Sequence, residues 1–379
     1  MTNHLNMDVY VLQDLPPSNI NRDDTGTPKQ AIYGGARRLR VSSQAWKRAT
    51  RLAFRESMDE SQLGVRTRRF VGLLTRELLD RGVEAGLASR LATTVSQSLG
   101  IQSNKKKESD LAYLLFFSRT QVAEIVRQIL DVLQTGAEGK ELDAAIGAID
   151  VKAILNEGHS LDVALFGRMV AELAGLNIDA SVQVAHALST HAVATDFDYF
   201  TAVDDEQQDD ETGAGMIGSV EFNSATMYRY ATVSVGQLFE NLADREATVE
   251  GVVEFVRAFS LSMPGGHKTS FAPRTRPGFV GVVFRTDQPV NLVSAFERPI
   301  VSGTGTFDLS LKRLAGFASD QARLWGDHPL ATFATYRAAT GDEDQVAAAF
   351  GPAVPFGDLL TAVRATVGDW LGTAGESEA

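Results

Sequence analysis

The 379-residue sequence contains no cysteine, which excludes disulfides, thiolate nucleophiles and cysteine-ligated zinc and fits a reducing compartment. It contains no run of eighteen apolar residues, and its N-terminus, MTNHLNMDVYV, lacks a basic stretch followed by an apolar one. Neither membrane spanning nor export is therefore expected, and the cytoplasm is the expected location. Positive charge is in short supply. The 36 Lys and Arg residues face 48 Asp and Glu, giving a formal net charge of -12, and such a surface repels phosphate at long range.

Catalytic signatures are missing too. Of six histidines the only close pair is His186 and His191, and in an expected strand an odd spacing sets them on opposite faces, where they cannot share a metal. Both are read as packing or hydrogen-bonding residues. PGGHKTS has His267 where a phosphate-binding loop requires glycine before its lysine, and GTGTF, from Gly303, lacks the third glycine of a dinucleotide fingerprint. Asp23 and Asp24 in NRDD are possible metal ligands, but read better as turn formers. DDEQQDDE (Asp204 to Glu211) has six acids but no glycine at the sharp turn of a calcium loop, and reads as a solvated loop, as do Lys105 to Lys107. No catalytic set, metal or cofactor is expected.

The clearest positive signal is YGGARRLRVSSQAWKRATRLAF, Tyr33 to Phe54. From Thr25 to Arg55 there is no acid and there are eight Lys or Arg, where the average composition gives about three. LRVSS reads as a short strand ending at a helix cap, with Ser42 or Ser43 offering a hydroxyl to the free amides of QAWKRATRLAFRES. On that helix Lys47, Arg48, Arg51 and Arg55 share a face, and Trp46, Ala49, Ala53 and Phe54 cover the other. Arg forks, Lys point charges and the donors of a helix N-terminus suit phosphates spaced along a strand. The alternative is an exposed amphipathic helix whose cations pair with acids elsewhere. Single-stranded RNA would also need a flat side chain to stack on or wedge between bases, for which Tyr199, Phe200 and Met169 are candidates.

With 44% hydrophobic residues the chain can build two domains, or one with large insertions. MDVYVLQ reads as a first strand, followed by a long loop. Val65 to Ala174 reads as an all-helical block. SVQVAHALSTHAVATDFDYF reads as one strand, ATMYRYATVSV and GFVGVVFR as further strands, and TVEGVVEFVRAFSLS as a helix. Ala331 to Leu371 again contains helical patterns, and the tail GTAGESEA is expected to be disordered. The fold class expected is α+β, one domain carrying a helical insertion.

At these residues the chain resembles CasC, the guide-RNA-binding backbone subunit of the type I-E CRISPR Cascade complex. PPSNINRDDTGTPKQAIYGGARRLRVSSQAWKRA, ALFGRM, VAHALSTHAVATDFDYFTAVDD, GSVEFNSATMYRYA and MPGGHKTSFA carry the resemblance, in order, over most of the chain. It implies a ferredoxin-like, RNA-recognition-motif-like palm (1–58 and 181–379), helical fingers (59–180) and a thumb loop (197–222). It also implies a non-catalytic scaffold whose copies line up along one CRISPR RNA (crRNA), alongside other Cascade subunits, and leave its bases free to pair with target DNA. Carried over residue by residue, it implies RNA contacts at Arg22, Lys29, Ser42, Gln44, Lys47, Arg48, Arg51 and Arg69. Arg168 and Met169 would clamp and wedge at a kink, and Phe200 and Thr201 would belong to the thumb. Where related chains carry lysine-rich finger and AFERPIVSGTG segments, this one keeps Lys140 and Arg298. The competing expectation is a metal-independent endoribonuclease of the related RAMP superfamily, with His186 or His191 as acid or base.

Overall fold

The computed structural model describes residues 4–376 other than 102, 105, 106, 203–215 and 340. Lys105, Lys106 and the acidic stretch Asp204 to Glu211 thus lie outside the described residues. The chain opens with β1 (Asn6–Ser18), β2 (Gln30–Tyr33), β3 (Ala36–Val41) and α1 (Ser43–Ser57). Then come β4 (Gly64–Thr67), α2 (Phe70–Asp80), α3 (Ala85–Ser98), β5 (Ser103–Asn104), β6 (Lys107–Leu111) and β7 (Leu115–Ser118). Four helices follow: α4 (Arg119–Gln134), α5 (Gly139–Gly147), α6 (Val151–Asn156) and α7 (Leu161–Phe166). Next are β8 (Val182–Val184), β9 (Ala187–Ser189), β10 (Asp196–Ala202), β11 (Met216–Ser234), α8 (Val235–Leu242) and α9 (Arg245–Leu261). The last elements are α10 (Lys268–Phe271), β12 (Phe279–Arg285), α11 (Phe307–Trp325), β13 (Ala331–Tyr336), α12 (Glu343–Phe350) and α13 (Phe356–Glu376). No helix among the described residues is long and apolar enough to cross a membrane.

The chain divides into two compact units. The first comprises Met1–Ala53, Gln183–Val235 and Val252–Ala379, and its sheet runs β13-β12-β1-β11-β9-β3-β2, with β8 and β10 also pairing with β11. β1 lies antiparallel between β11 and β12, with Val11 opposite Arg229 and Leu12 opposite both Tyr228 and Phe279. Burial is unbroken from Met7 to Gln13, as expected of a strand covered on both faces. One face carries Tyr10, Leu12, Tyr228, Tyr230 and Phe279 against Leu311 and Leu314 of α11 and Phe350 of α12. On the other, Arg229 meets Phe259 of α9 and Trp46 of α1. The β2–β3 hairpin closes through Gly34 and Gly35, both at positive φ (57° and 72°), which is what a two-residue turn matching the strand twist demands.

The second unit, Phe54–Val182 with Gly236–Gly251, is built around Phe70, Leu74, Leu91, Phe117, Ile125 and Ile129. It is not all helical: β4 pairs antiparallel with β7, and β5 with β6. Within LLFFS, read from the sequence as part of a helix, Leu115–Ser118 is β7 with every side chain buried, and Leu114 before it is exposed; a short continuous apolar run has no period to separate strand from helix. Helix α4 starts just after it, where Gln121 Oε1 accepts the Ser118 N–H at 2.9 Å.

Three other expectations are corrected. The strand expected across Val182 to His191 is two three-residue strands, β8 and β9, interrupted at Ala185 and His186, where the His186 ring accepts an N–H from α1. The helical patterns expected from Ala331 begin with a strand, β13, recruited by β12 through pairs such as Val282 with Phe333. The tail is helical through Glu376, since α13 continues past Leu371.

Candidate nucleic-acid interface

The basic stretch folds as a hairpin strand running into a helix, and a loop is tied to that helix start. The loop before β2 is shaped by Asp23, whose Oδ1 accepts from Thr25 N–H (2.9 Å), Thr25 Oγ1 (2.7 Å) and Thr27 N–H (3.1 Å). These donors, Thr25 Oγ1 first, hold its carboxyl below the usual range. Asp23 is thus a turn former. Asn21 makes the connection to α1: its carbonyl accepts Lys29 N–H (2.9 Å) and its Oδ1 accepts Ser42 N–H (2.8 Å). The segment carrying Arg22 and Lys29 therefore sits beside the first turn of α1.

Ser42 is the residue before the helix. It is buried, and its hydroxyl accepts Ala45 N–H at 3.3 Å, so it caps α1 from inside. Trp46, Ala49 and Phe54 are buried as the pattern predicts, with Trp46 in a cluster containing Leu15, Leu39, Val41 and Met227. That packing turns the opposite face outward, where Gln44 and Arg48 are exposed and Lys47 and Arg51 half-buried. Burial pulls the Lys47 ammonium below its usual pKa.

Among the described residues Arg22, Lys29, Lys47 and Arg48 make no ion pair. Cations left out of ion pairs on a helix start and on the loop that Asn21 ties to it are useful against a polyanion. The reading of α1 as a helix neutralised by acids elsewhere fails for Lys47 and Arg48. Not every arginine of the stretch is available: Arg38 is buried and donates to the carbonyls of Ser189 (3.0 Å), Phe296 (2.8 Å) and Glu297 (3.2 Å). It serves the fold.

Two residues that the sequence reading left out of the site belong to this ledge. Arg40, half-buried on β3, brings its Nη1 to 3.4 Å from His186 Nδ1, and the same Nδ1 accepts Ser43 N–H at 3.1 Å. Arg40 had a signal, since it lies within the basic stretch. His186 was singled out only as a packing or hydrogen-bonding residue or as a nuclease acid or base; its contact with α1 had no sequence signal, because Ser43 is 143 positions away.

The β10–β11 hairpin pairs Phe197 with Glu221, Tyr199 with Ser219, Phe200 with Gly218 and Thr201 with Ile217. Phe197 and Tyr199 project on one face, 68% and 66% exposed; Phe197 is a further aromatic whose signal is the alternation in DFDYF. Phe200 lies on the other face, its ring crossing Gly218 so closely that a Cβ there would come within 2.5 Å. Thr201 is exposed.

In the second unit, Arg69 is exposed ahead of α2, its N–H donating to Thr67 Oγ1 at 2.9 Å. Met169 is 84% exposed. Arg168 requires a correction: it is buried, and its guanidinium donates to the carbonyls of Leu176 (2.6 Å), Leu155 (2.9 Å) and Phe116 (3.4 Å) and to Asn156 Oδ1 (3.1 Å). A guanidinium so engaged is not a surface clamp, and burial lowers its pKa to about 10. The Arg168 backbone also bridges to Ile178, with N···O distances of 3.0 and 2.8 Å. Arg168 thus fixes the base from which Met169 projects.

Neither His186 nor His191 has a free lone pair among the described residues. His191 Nδ1 lies 2.8 Å from the Ala192 carbonyl, to which it donates, and its Nε2 accepts Thr226 N–H at 3.2 Å.

The sequence profile of the CT1975-like protein family matches residues 7–360. Among solved structures, a chain of a "CRISPR RNA-guided surveillance complex, pre-nicking" is 32% identical, with a TM-score of 0.84 over 96% of this chain and 100% of its own. A chain of another structure described as a "CRISPR RNA-guided surveillance complex" is 29% identical, with a TM-score of 0.74 over 95% of this chain and 99% of its own. No match is found among curated proteins.

Proposed function

The chain belongs to the CT1975-like protein family, and from that membership and the unpaired cations around α1 we propose that it is a guide-RNA-binding subunit of a CRISPR surveillance complex. The observation that carries the reading is the set Arg22, Lys29, Lys47 and Arg48, none ion-paired among the described residues and gathered at one helix start. The likeness to chains of CRISPR RNA-guided surveillance complexes over nearly the full length supports it.

In this reading Lys47 and Arg48 hold phosphates, Gln44 and the first-turn amides add neutral donors, and Ser42 keeps the turn capped. Such contacts bind any sequence and weaken with salt. The guide bases remain available to pair with target DNA, so sequence is read by base pairing. The first unit acts as an RNA-recognition-type palm, the second as fingers and the β10–β11 hairpin as a thumb reaching a neighbouring copy, in an assembly of type I-E architecture along one crRNA. Met169 wedges at a kink in the guide. The subunit is a scaffold and not a nuclease, a view supported by the occupied lone pairs of His186 and His191. It works in the cytoplasm, without a cofactor.

The test is anisotropy titration of labelled single-stranded RNA against the full chain over a range of salt. Lys47→Glu combined with Arg48→Glu is expected to weaken binding across sequences and reduce the salt slope by about one for each phosphate no longer neutralised. Unchanged affinity and slope would remove the ledge from the interface.

A further inference from the structure

His186 is exposed, in the break between β8 and β9, yet one of its ring nitrogens is fully engaged. Ser43 N–H lies 3.1 Å and Arg40 Nη1 3.4 Å from Nδ1. An amide N–H and a guanidinium are donors only, so Nδ1 holds a lone pair and the ring proton sits on Nε2. Nε2 has no partner among the described residues.

The charges that act on the ring are both positive: Arg40 on β3 and Lys29 in the loop before β2. Burial, then Arg40, then Lys29, lower its affinity for a second proton. α1 contributes the Ser43 amide, at the positive end of its dipole, which works in the same direction. The ring is therefore held neutral in a single tautomer, beside a helix start ringed by free cations.

We propose that His186 is a further guide-contacting residue, presenting its Nε2–H as a neutral hydrogen-bond donor to a sugar-phosphate oxygen of RNA held at the first turn of α1. The assignment rests on the guide-binding reading. A neutral donor strengthens the ledge without adding repulsion to Lys29 and Arg40, and its contribution does not vary with pH across the neutral range. The same geometry rules His186 out as the base of a nuclease, because the lone pair that would take a proton already accepts from α1.

The test uses the full chain, labelled single-stranded RNA and three variants whose thermal melts are recorded alongside. His186→Gln carries an amide N–H close to the position of Nε2. His186→Asn places an oxygen where Nδ1 stands, keeping the bond to Ser43 N–H but losing the outer donor. His186→Ala loses both.

The expected result is near-wild-type affinity for His186→Gln and a loss of roughly 3- to 10-fold for His186→Asn and His186→Ala. Wild-type affinity should also be level from pH 8 to pH 6 relative to His186→Ala. Two results overturn the assignment: full affinity in His186→Asn with a loss in His186→Gln, the pattern of a ring that only caps α1, or wild-type affinity rising toward pH 6 while His186→Ala stays level. RNA binding abolished by Lys47→Glu with Arg48→Glu, but indifferent to all three His186 variants, sinks the His186 assignment and leaves guide binding standing. A wild-type chain that binds no RNA overturns both.

Discussion

Arg229 lies flat against Trp46, its guanidinium carbon 3.7 Å from the indole centroid. The same guanidinium lies 4.7 Å from the ring of Phe259, donates to the Phe259 carbonyl, and donates to Gln13 Oε1 at 2.6 Å. Burial lowers its pKa to about 9, so it remains protonated at neutral pH. A cation on β11 thus anchors the inner face of the helix whose outer face carries Lys47 and Arg48. Stacking on an indole stabilises a desolvated guanidinium by about 2 kcal/mol, and the contact fixes the rotation of α1 on the sheet.

Trp46→Ala is expected to destabilise the first unit by about 3–5 kcal/mol, through cavity formation and loss of the stacked cation. Trp46→Phe keeps an aromatic face for Arg229 and should cost less. Calorimetric melting checks both; equal melting temperatures for wild type and Trp46→Ala would show that the stack does not anchor α1.

Arg168 and Met169 are adjacent and should behave oppositely. Arg168→Met strips charged donors from the carbonyls of Leu176 and Leu155 and is expected to cost about 2–4 kcal/mol of stability. Met169→Ala, at a site 84% exposed, should change stability by no more than about 0.5 kcal/mol while loosening protection of bound RNA from nuclease digestion. Loss of stability in Met169→Ala, or none in Arg168→Met, would reverse the two roles.

Phe200 covers Gly218 across the hairpin, so Gly218→Val should displace the ring as surely as Phe200→Ala removes it. Both variants are expected to melt near the wild type, since neither Phe200 nor Gly218 belongs to the buried clusters that β11 joins through Met227 and Tyr228. Both should disturb the spacing of copies on a guide. Native mass spectrometry of the reconstituted assembly reads this directly, and an unaltered subunit ladder with normal guide protection would count against it.

His159 supplies a pH dependence. Burial, then the charge of Arg168, lower its pKa from 6.5 to about 4. The folded chain then binds fewer protons than the unfolded chain between those values, so this stability is complete above about pH 6.5 and is lost as pH falls toward 4. His159→Asn keeps an acceptor for Gln121 Nε2, which lies 3.3 Å from Nδ1. Its melting temperature should fall less than the wild type's from pH 7 to pH 4.5. Parallel falls would show that His159 titrates normally.

Several elements were legible because they are set by neighbours in sequence. The three-to-four spacing of Trp46, Ala49 and Ala53, with Phe54 beside them, specifies α1 and its inner side, and the alternation of MDVYVLQ specifies β1. The concentration of Lys and Arg before Arg55 marks the ledge within an anionic chain. β7 was not legible, since LLFFS has no period, and neither was the break at His186, where the ring accepts an N–H from the distant Ser43.

Composition and short-range pattern therefore determined that this protein would present one cationic helix on an α+β scaffold, without cysteine chemistry. Tertiary structure alone decided which cations face outward. Arg38, Arg168 and Arg229 are consumed by carbonyls and rings from distant segments, while Lys47 and Arg48 meet no acid among the described residues. The reason is physical: a side chain's charge is written locally, but its partner is whatever the folded chain brings within about 3 Å.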